Sequence, residues 1–92
     1  MSAEALAGVF AARGLTPDEF RVLAVLADSE HFGEVCLPLM TLARACERYS
    51  HNVLLTIEGL TVTHPWVSLR VNQVEKDRFI VGTIDWQKAR KQ

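Results

Sequence analysis

The chain has few of the residues that form disulfides or metal sites. Its 92 residues contain two cysteines, Cys36 and Cys46, three histidines and no CxxC pair. A structural zinc site needs four closely spaced ligands, so no metal site is expected. Cys46 lies among small apolar residues and is predicted to be a core residue. Both thiols are predicted to be free, as is typical of a cytoplasmic protein, unless folding brings the two together.

Motifs for catalysis and for membrane insertion are also missing. The chain has no Gly-rich phosphate loop, no histidine has a serine or carboxylate at a recognised catalytic spacing, and no nucleophile motif surrounds Cys36 or Cys46. A Cys-His pair formed by folding is the alternative that the sequence leaves open. The apolar stretch Met1–Ala12 has no basic region before it and contains Glu4, so it predicts a short helix rather than a signal peptide. It is also too short to cross a membrane. The sequence therefore predicts no enzyme, no cofactor and no membrane partner.

The composition is that of one globular domain, with an uneven distribution of charge. Apolar residues make up 49% of the chain and charged residues 23%, and the net charge is -1. Residues 1–47 contain three basic and seven acidic side chains, whereas residues 48–92 contain seven basic and four acidic ones. This asymmetry favours an orientation of the C-terminal half towards phosphate. A chance difference between two halves of a small protein is the alternative.

Two helices are predicted in the first third of the chain. Residues 3–13 are rich in alanine, and Gly14 ends this helix. Thr16 is a predicted N-cap, Pro17 suits a first turn, and Glu19 completes a capping box. This second helix is predicted to end near residue 29.

A helix-turn-helix is predicted next. Its first helix is predicted over Leu37–Glu47, because Pro38 is tolerated in a first turn. The turn is Arg48-Tyr49, and Ser50 is predicted to cap the second helix. This helix is predicted to change to strand near Gly59, because residues 60–64 alternate and are rich in β-branched side chains.

A β-hairpin is predicted after the second helix of this motif. Val67, Leu69 and Val71 alternate with polar residues, which indicates a half-buried strand. Residues 74–77 form the predicted turn, and residues 78–84 form the return strand. The tail that follows is polar and basic apart from Trp86.

These features resemble bacterial winged-helix regulators and the DNA-binding domains of plasmid and phage replication proteins. The likeness lies in the run Leu15–Leu23, in Leu42-Ala43, and in the spacing of Ser50, Val53, Ile57 and Leu60. It implies an α+β fold: a three-helix N-terminal bundle with a helix-turn-helix, followed by an antiparallel β-hairpin, the wing. The expected single domain divides into an N-terminal helix (1–14), a helical core (15–60), the wing (61–84) and a basic tail (85–92).

The resemblance also implies a DNA-binding surface. In that family the second helix of the motif enters the major groove, where Asn52 would pair with adenine and Thr56 would contact a phosphate or a thymine methyl group. Basic residues of the wing and of the first motif helix would contact phosphates. The predicted DNA-binding residues are Arg44, Arg48, His51, Asn52, Thr56, Arg70, Lys76 and Arg78.

Two functions remain open from the sequence. The first is a DNA-binding module of a transcription or replication regulator, with double-stranded DNA as partner and a homodimer as one arrangement. The second is a small protein-interaction domain, or a phage or mobile-element inhibitor, that keeps the winged-helix shape. The protein-interaction function is supported by the lack of positive charge: residues 51–58 contain no Arg or Lys, and Glu75 and Asp77 flank Lys76. Trp66 and Trp86 either form an exposed aromatic surface or belong to the core.

Overall fold

The computed structural model describes residues 3–91 and confirms the α+β class. Within that range the chain forms five helices and three strands. In chain order they are α1 (Ala3–Ala11), α2 (Pro17–Ser29), β1 (Glu34–Pro38), α3 (Leu39–Cys46), α4 (Ser50–Thr63), β2 (Val67–Val74), β3 (Asp77–Ile84) and α5 (Trp86–Arg90). The outermost residues of the predicted N-terminal helix and basic tail, at positions 1, 2 and 92, lie outside the described residues.

The three strands form one antiparallel sheet with β3 in the centre. The order is β1-β3-β2, so β3 pairs with both of its neighbours. Leu69 of β2 and Val35 of β1 both lie opposite Gly82 of β3. Helices cover the buried face of this sheet, and the sequence-predicted hairpin supplies two of its three strands.

The start of α2 confirms the predicted capping box. The backbone N–H of Glu19 donates to Oγ1 of Thr16 at 3.1 Å, and the backbone N–H of Thr16 donates to Oε1 of Glu19 at 2.9 Å. Pro17 occupies the first turn. Two backbone donors that the helix itself leaves unpaired are thereby satisfied, which fixes where α2 begins.

The predicted start of the third helix at Leu37 is wrong. Residues 34–38 form strand β1, which pairs with β3 from Glu34↔Thr83 to Pro38↔Phe79. The helix begins one residue after Pro38. A two-residue turn at Phe32 and Gly33, both with positive φ, precedes the strand and reverses the chain after α2. The pairing with β3 supplies hydrogen bonds that a helix starting at Leu37 would lack.

The predicted change from helix to strand near Gly59 is also wrong. Helix α4 continues to Thr63, so the hairpin begins at Val67 and not at residue 61. Thr61 and Thr63 each donate a side-chain hydrogen bond to the carbonyl four residues earlier. Ser50 does not cap the helix, because Tyr49 is the N-cap and no side chain caps that end.

The core lies between the helices and the inner face of the sheet, and it includes both tryptophans. Leu23, Leu26, Leu42, Leu60 and Ile80 have no exposed surface. Trp66 and Trp86 are only 3% and 4% exposed, so the interpretation of the two as an exposed aromatic surface is wrong. Helix α5, which begins at Trp86, packs on α1. No helix among residues 3–91 has the length and apolar character needed to cross a membrane.

The two cysteines are free thiols in different surroundings. Cys36 is exposed on β1, whereas Cys46 is buried at the end of α3, as the sequence predicts. Burial raises the pKa of the Cys46 thiol, and the positive charges of Arg21 and Arg48 offset part of this effect. The buried thiol is therefore held in its neutral form.

We expect Cys36 to react rapidly with a thiol reagent such as DTNB, and Cys46 to react only after unfolding. The unfolded thiol ionises near pH 8.5, and the folded Cys46 thiol ionises at a higher pH. Above the unfolded pKa the native state binds more protons, so the free energy of unfolding falls as pH rises. Thiol titration with and without urea, with Cys36→Ser as control, measures which thiol reacts in the native protein. Rapid labelling of native Cys46 would contradict it.

Candidate nucleic-acid interface

The turn between α3 and α4 fixes the relative position of these two helices. Glu47 ends α3 in the left-handed conformation, with φ 56° and ψ 42°. The N–H of Arg48 donates to the carbonyl of Ala43 at 3.0 Å, and the N–H of Glu47 donates to that of Arg44 at 3.2 Å. These two bonds define a Schellman motif, which usually has glycine at the left-handed position. Here a glutamate with an exposed side chain adopts that conformation.

Replacement of Glu47 with glycine is expected to raise the free energy of unfolding by about 1 kcal/mol, because glycine adopts the left-handed conformation without the steric cost. Glu47→Ala is the matched control, since it removes the same carboxylate but keeps a Cβ. Urea denaturation followed by circular dichroism measures both. Equal stabilisation by the two variants would mean that charge, and not backbone conformation, causes the effect.

Two arginines join this turn to α2. Nη1 of Arg21 donates to the carbonyl of Cys46 at 3.1 Å. Nε of Arg48 lies 3.3 Å from a carboxylate oxygen of Asp18, and both side chains are about half exposed. An exposed ion pair of this kind contributes about 0–1 kcal/mol. Arg48 is therefore only weakly held by Asp18 and is able to exchange it for another anion.

The predicted DNA-contacting residues of α4 lie in its first two turns. His51 is exposed, and its ring stacks on that of Tyr49 with centroids 6.1 Å apart. Asn52 and Thr56 are half-buried. They are four residues apart and therefore lie on the same side of the helix. The hydroxyl of Thr56 donates to the carbonyl of Asn52 at 2.9 Å, so its proton is already used within the helix.

The wing residues Arg70 and Arg78 lie on opposite faces of the sheet. Arg78 is opposite Gln73, and this pair continues the row of Val71 and Ile80 on the core-facing side. Arg70 is opposite Val81, on the outer face. Successive side chains in a strand point to opposite faces, so the register places the two guanidinium groups on different surfaces. Both side chains are exposed.

The wing tip lies beside the start of α3. Glu75 and Lys76 form a two-residue turn between Val74 and Asp77, and Glu75 has a positive φ, as is common in hairpins with such short loops. Lys76 and Arg78 border the same surface depression as Met40.

Helix α3 contributes Leu39 and Met40 to this depression. Arg44 is four residues after Met40, and residues at this spacing lie on the same side of a helix. The structure places Lys76 and Arg78 beside Met40, and the helical spacing puts Arg44 on the same side of α3 as Met40. We call the surface formed by these three basic residues the α3–wing side. Arg70 lies elsewhere.

The outward side of α4 also carries two large apolar side chains. Leu55 is 65% exposed and Val62 is 79% exposed. From the sequence, Leu54 and Leu55 are candidates for an association surface with a protein partner, whereas Val62 is predicted to lie in a strand. The seven-residue spacing of Leu55 and Val62 is the signal for a common helical face, but it is visible only if the helix is taken to continue past Gly59.

Within residues 3–91, no three His, Cys, Asp or Glu side chains are grouped so that they could hold a metal ion. Comparison of the chain with protein-family models, curated proteins and solved structures gives no match.

Proposed function

We propose that this protein is a non-enzymatic winged-helix module that binds double-stranded DNA, as a transcription or replication regulator does. The observation that carries the proposal is the order of the elements. A helix, a helix-turn-helix and a β-hairpin follow one another, and the hairpin tip lies beside the start of the first motif helix. In this arrangement α4 is the helix that enters the major groove.

The charges around the motif support phosphate contacts. Arg44, Lys76 and Arg78 lie on the α3–wing side and are exposed. Arg48, near the start of α4, has only the exposed carboxylate of Asp18 as an ionic partner among residues 3–91. These four basic groups would make three or four phosphate contacts. The contact by Lys76 is the weakest, because the carboxylates of Glu75 and Asp77 on either side of it reduce its attraction to phosphate.

Binding to duplex DNA is expected to be strongly salt-dependent. Three or four phosphate contacts predict a loss of affinity of about 40- to 150-fold between 50 and 200 mM salt. Fluorescence anisotropy with a labelled duplex measures this effect. Absence of binding at ~50 mM salt would refute the proposal, because phosphate contacts are strongest at low ionic strength.

A matched pair of variants tests which side of the hairpin faces DNA. Arg78→Ala should weaken binding and reduce the salt slope by about 1. Arg70→Ala removes the same charge from the same hairpin, but from the opposite sheet face. It should leave the affinity and the salt slope nearly unchanged. Equal losses in both variants would show that the α3–wing side is not the DNA-facing side.

A protein-interaction domain is the second candidate function, and the exposed apolar side of α4 favours it. Leu55 and Val62 are large, exposed and on a helix with no Arg or Lys. Side chains of this kind are enriched in protein interfaces when they form a patch. If the protein partner is a second copy of this chain, the protein should form a dimer, and Leu55→Ser should weaken that dimer. Size-exclusion chromatography with light scattering over a range of concentrations checks this, and a strict monomer would contradict it.

A further inference from the structure

The outward side of α4 offers few groups that could hydrogen-bond to bases. The helix contains no Lys or Arg, and Glu58 is its only acidic residue. Leu55 is 65% exposed near the middle of this side, and Asn52 lies three residues before it. Residues at this spacing are neighbours on a helix surface. An apolar side chain therefore lies where a DNA-reading helix usually presents a polar one.

The threonines of α4 do not compensate for this lack. Thr56 donates its hydroxyl proton to the carbonyl of Asn52, Thr61 to that of Ile57, and Thr63 to that of Gly59. All three hydroxyl protons are used inside the helix. In contrast, no side-chain hydrogen bond of Asn52 is seen among residues 3–91, so its amide is available to a ligand.

A leucine in the major groove has one suitable partner. The base edges there present hydrogen-bond donors and acceptors, with the C5-methyl group of thymine as the apolar exception. If Leu55 covered a polar base edge, that edge would lose water without gaining a hydrogen bond, which is unfavourable. If Leu55 covers a thymine methyl group, both partners lose apolar surface to water, which is favourable.

We propose that Leu55 contacts thymine methyl groups and thereby makes this protein prefer A·T-containing duplexes. The proposal rests on the DNA-binding function proposed above. The basic groups of the α3–wing side would place the duplex against α4 through phosphate contacts. Asn52 would pair with N6 and N7 of adenine in the same or the adjacent base pair, since an amide matches that edge.

Removal of the thymine methyl group tests the proposal directly. The probes are alternating poly(dA-dT) duplex and the same polymer with deoxyuridine in place of thymidine. Because both sequences repeat along the whole duplex, the test does not require a known target sequence. Wild-type protein should bind the deoxyuridine polymer about fourfold more weakly for each methyl group covered. The salt slope should be the same for both polymers, because their phosphates are identical.

Variants at Leu55 assign the methyl preference to that side chain. Leu55→Ala should bind both polymers equally, and Leu55→Met, which keeps an apolar side chain of similar size, should retain the preference. Leu6→Ala removes a partly exposed leucine from α1 and is the matched control, with an unchanged preference expected. Because Leu55 is largely exposed, Leu55→Ala should fold, and thermal melts of each variant confirm that it does.

The outcomes separate this inference from the proposed function. Equal binding of wild type to the two polymers overturns the role of Leu55 but leaves the DNA-binding function intact. A preference that persists in Leu55→Ala overturns the assignment to this residue. If wild type binds neither polymer at ~50 mM salt, both proposals fail, and a protein partner for the apolar side of α4 is favoured instead.

Discussion

Replacement of Gly82 with alanine is expected to lower the free energy of unfolding by at least about 3 kcal/mol, the sum of left-handed backbone strain and of lost hydrogen bonds between strands. Gly82 has φ 145° and lies in the central strand. A Cβ there would lie 2.0 Å from the carbonyl oxygen of Ser68 and 2.9 Å from Cα of Leu69. Both are backbone atoms of β2, so no side-chain rotation relieves the clash, and β2 must move away from β3.

Urea denaturation followed by far-UV circular dichroism measures this effect. For a protein of this size the total free energy of unfolding is about 5–14 kcal/mol, so the variant loses a large part of it. Gly59→Ala is the matched control. In α4 the added Cβ would lie 3.6 Å from Oε2 of Glu19, an ordinary contact, and alanine should stabilise the helix by about 0.5–1 kcal/mol. A loss below 1 kcal/mol for Gly82→Ala would contradict the pairing of β2 with β3 at this position.

Replacement of Trp86 with alanine is expected to lower the free energy of unfolding by about 3–5 kcal/mol, as is usual for a buried aromatic side chain. Trp86 is 4% exposed and is the first residue of α5. It packs so closely on α1 that a Cβ at Gly8 would lie 2.9 Å from its Cε3. Loss of the indole ring leaves a cavity between α1 and α5, and both helices are expected to exchange amide hydrogens faster than α4.

Phenylalanine at this position separates packing from hydrogen bonding. The indole N–H of Trp86 is buried without a hydrogen-bond partner among residues 3–91, so Trp86→Phe removes no hydrogen bond and should cost less than half as much as Trp86→Ala. Leu6→Ala, at a partly exposed site of α1, is the control for a small effect. Tryptophan fluorescence follows unfolding in all three variants, and it comes from Trp66 alone in the two Trp86 variants. A Trp86→Phe variant as unstable as Trp86→Ala would show that the indole N–H has a partner.

The elements predicted correctly from the sequence are those that local interactions specify. The start of α2 depends on Thr16 and Glu19, which are three residues apart and bond to each other's backbone. Strands β2 and β3 are adjacent in sequence and joined by a two-residue turn, and β2 alternates in polarity over residues 67–72. In each case the determining contacts lie within the segment itself, so the pattern of residues contains the necessary information.

Strand β1 and the C-terminal part of α4 depend on contacts that are distant in sequence. The five residues of β1 form a strand because β3, more than 40 residues later, offers its free edge. The β-branched residues after Gly59 favour a strand by propensity, but Leu60 is fully buried as part of a helix. Tertiary packing overrides a weak local preference in both places.

The candidate site shows the same division. The sequence alone determined which residues are outward and polar, from Arg44 to Arg78, and the absence of positive charge on α4. Only the tertiary structure decided how these residues are grouped. The register of β2 against β3 separates Arg70 from Arg78, and the position of the hairpin tip brings Lys76 next to α3. Strand register and the packing of a hairpin on a helix are set by the whole core, because they depend on how the buried side chains of several elements fit together.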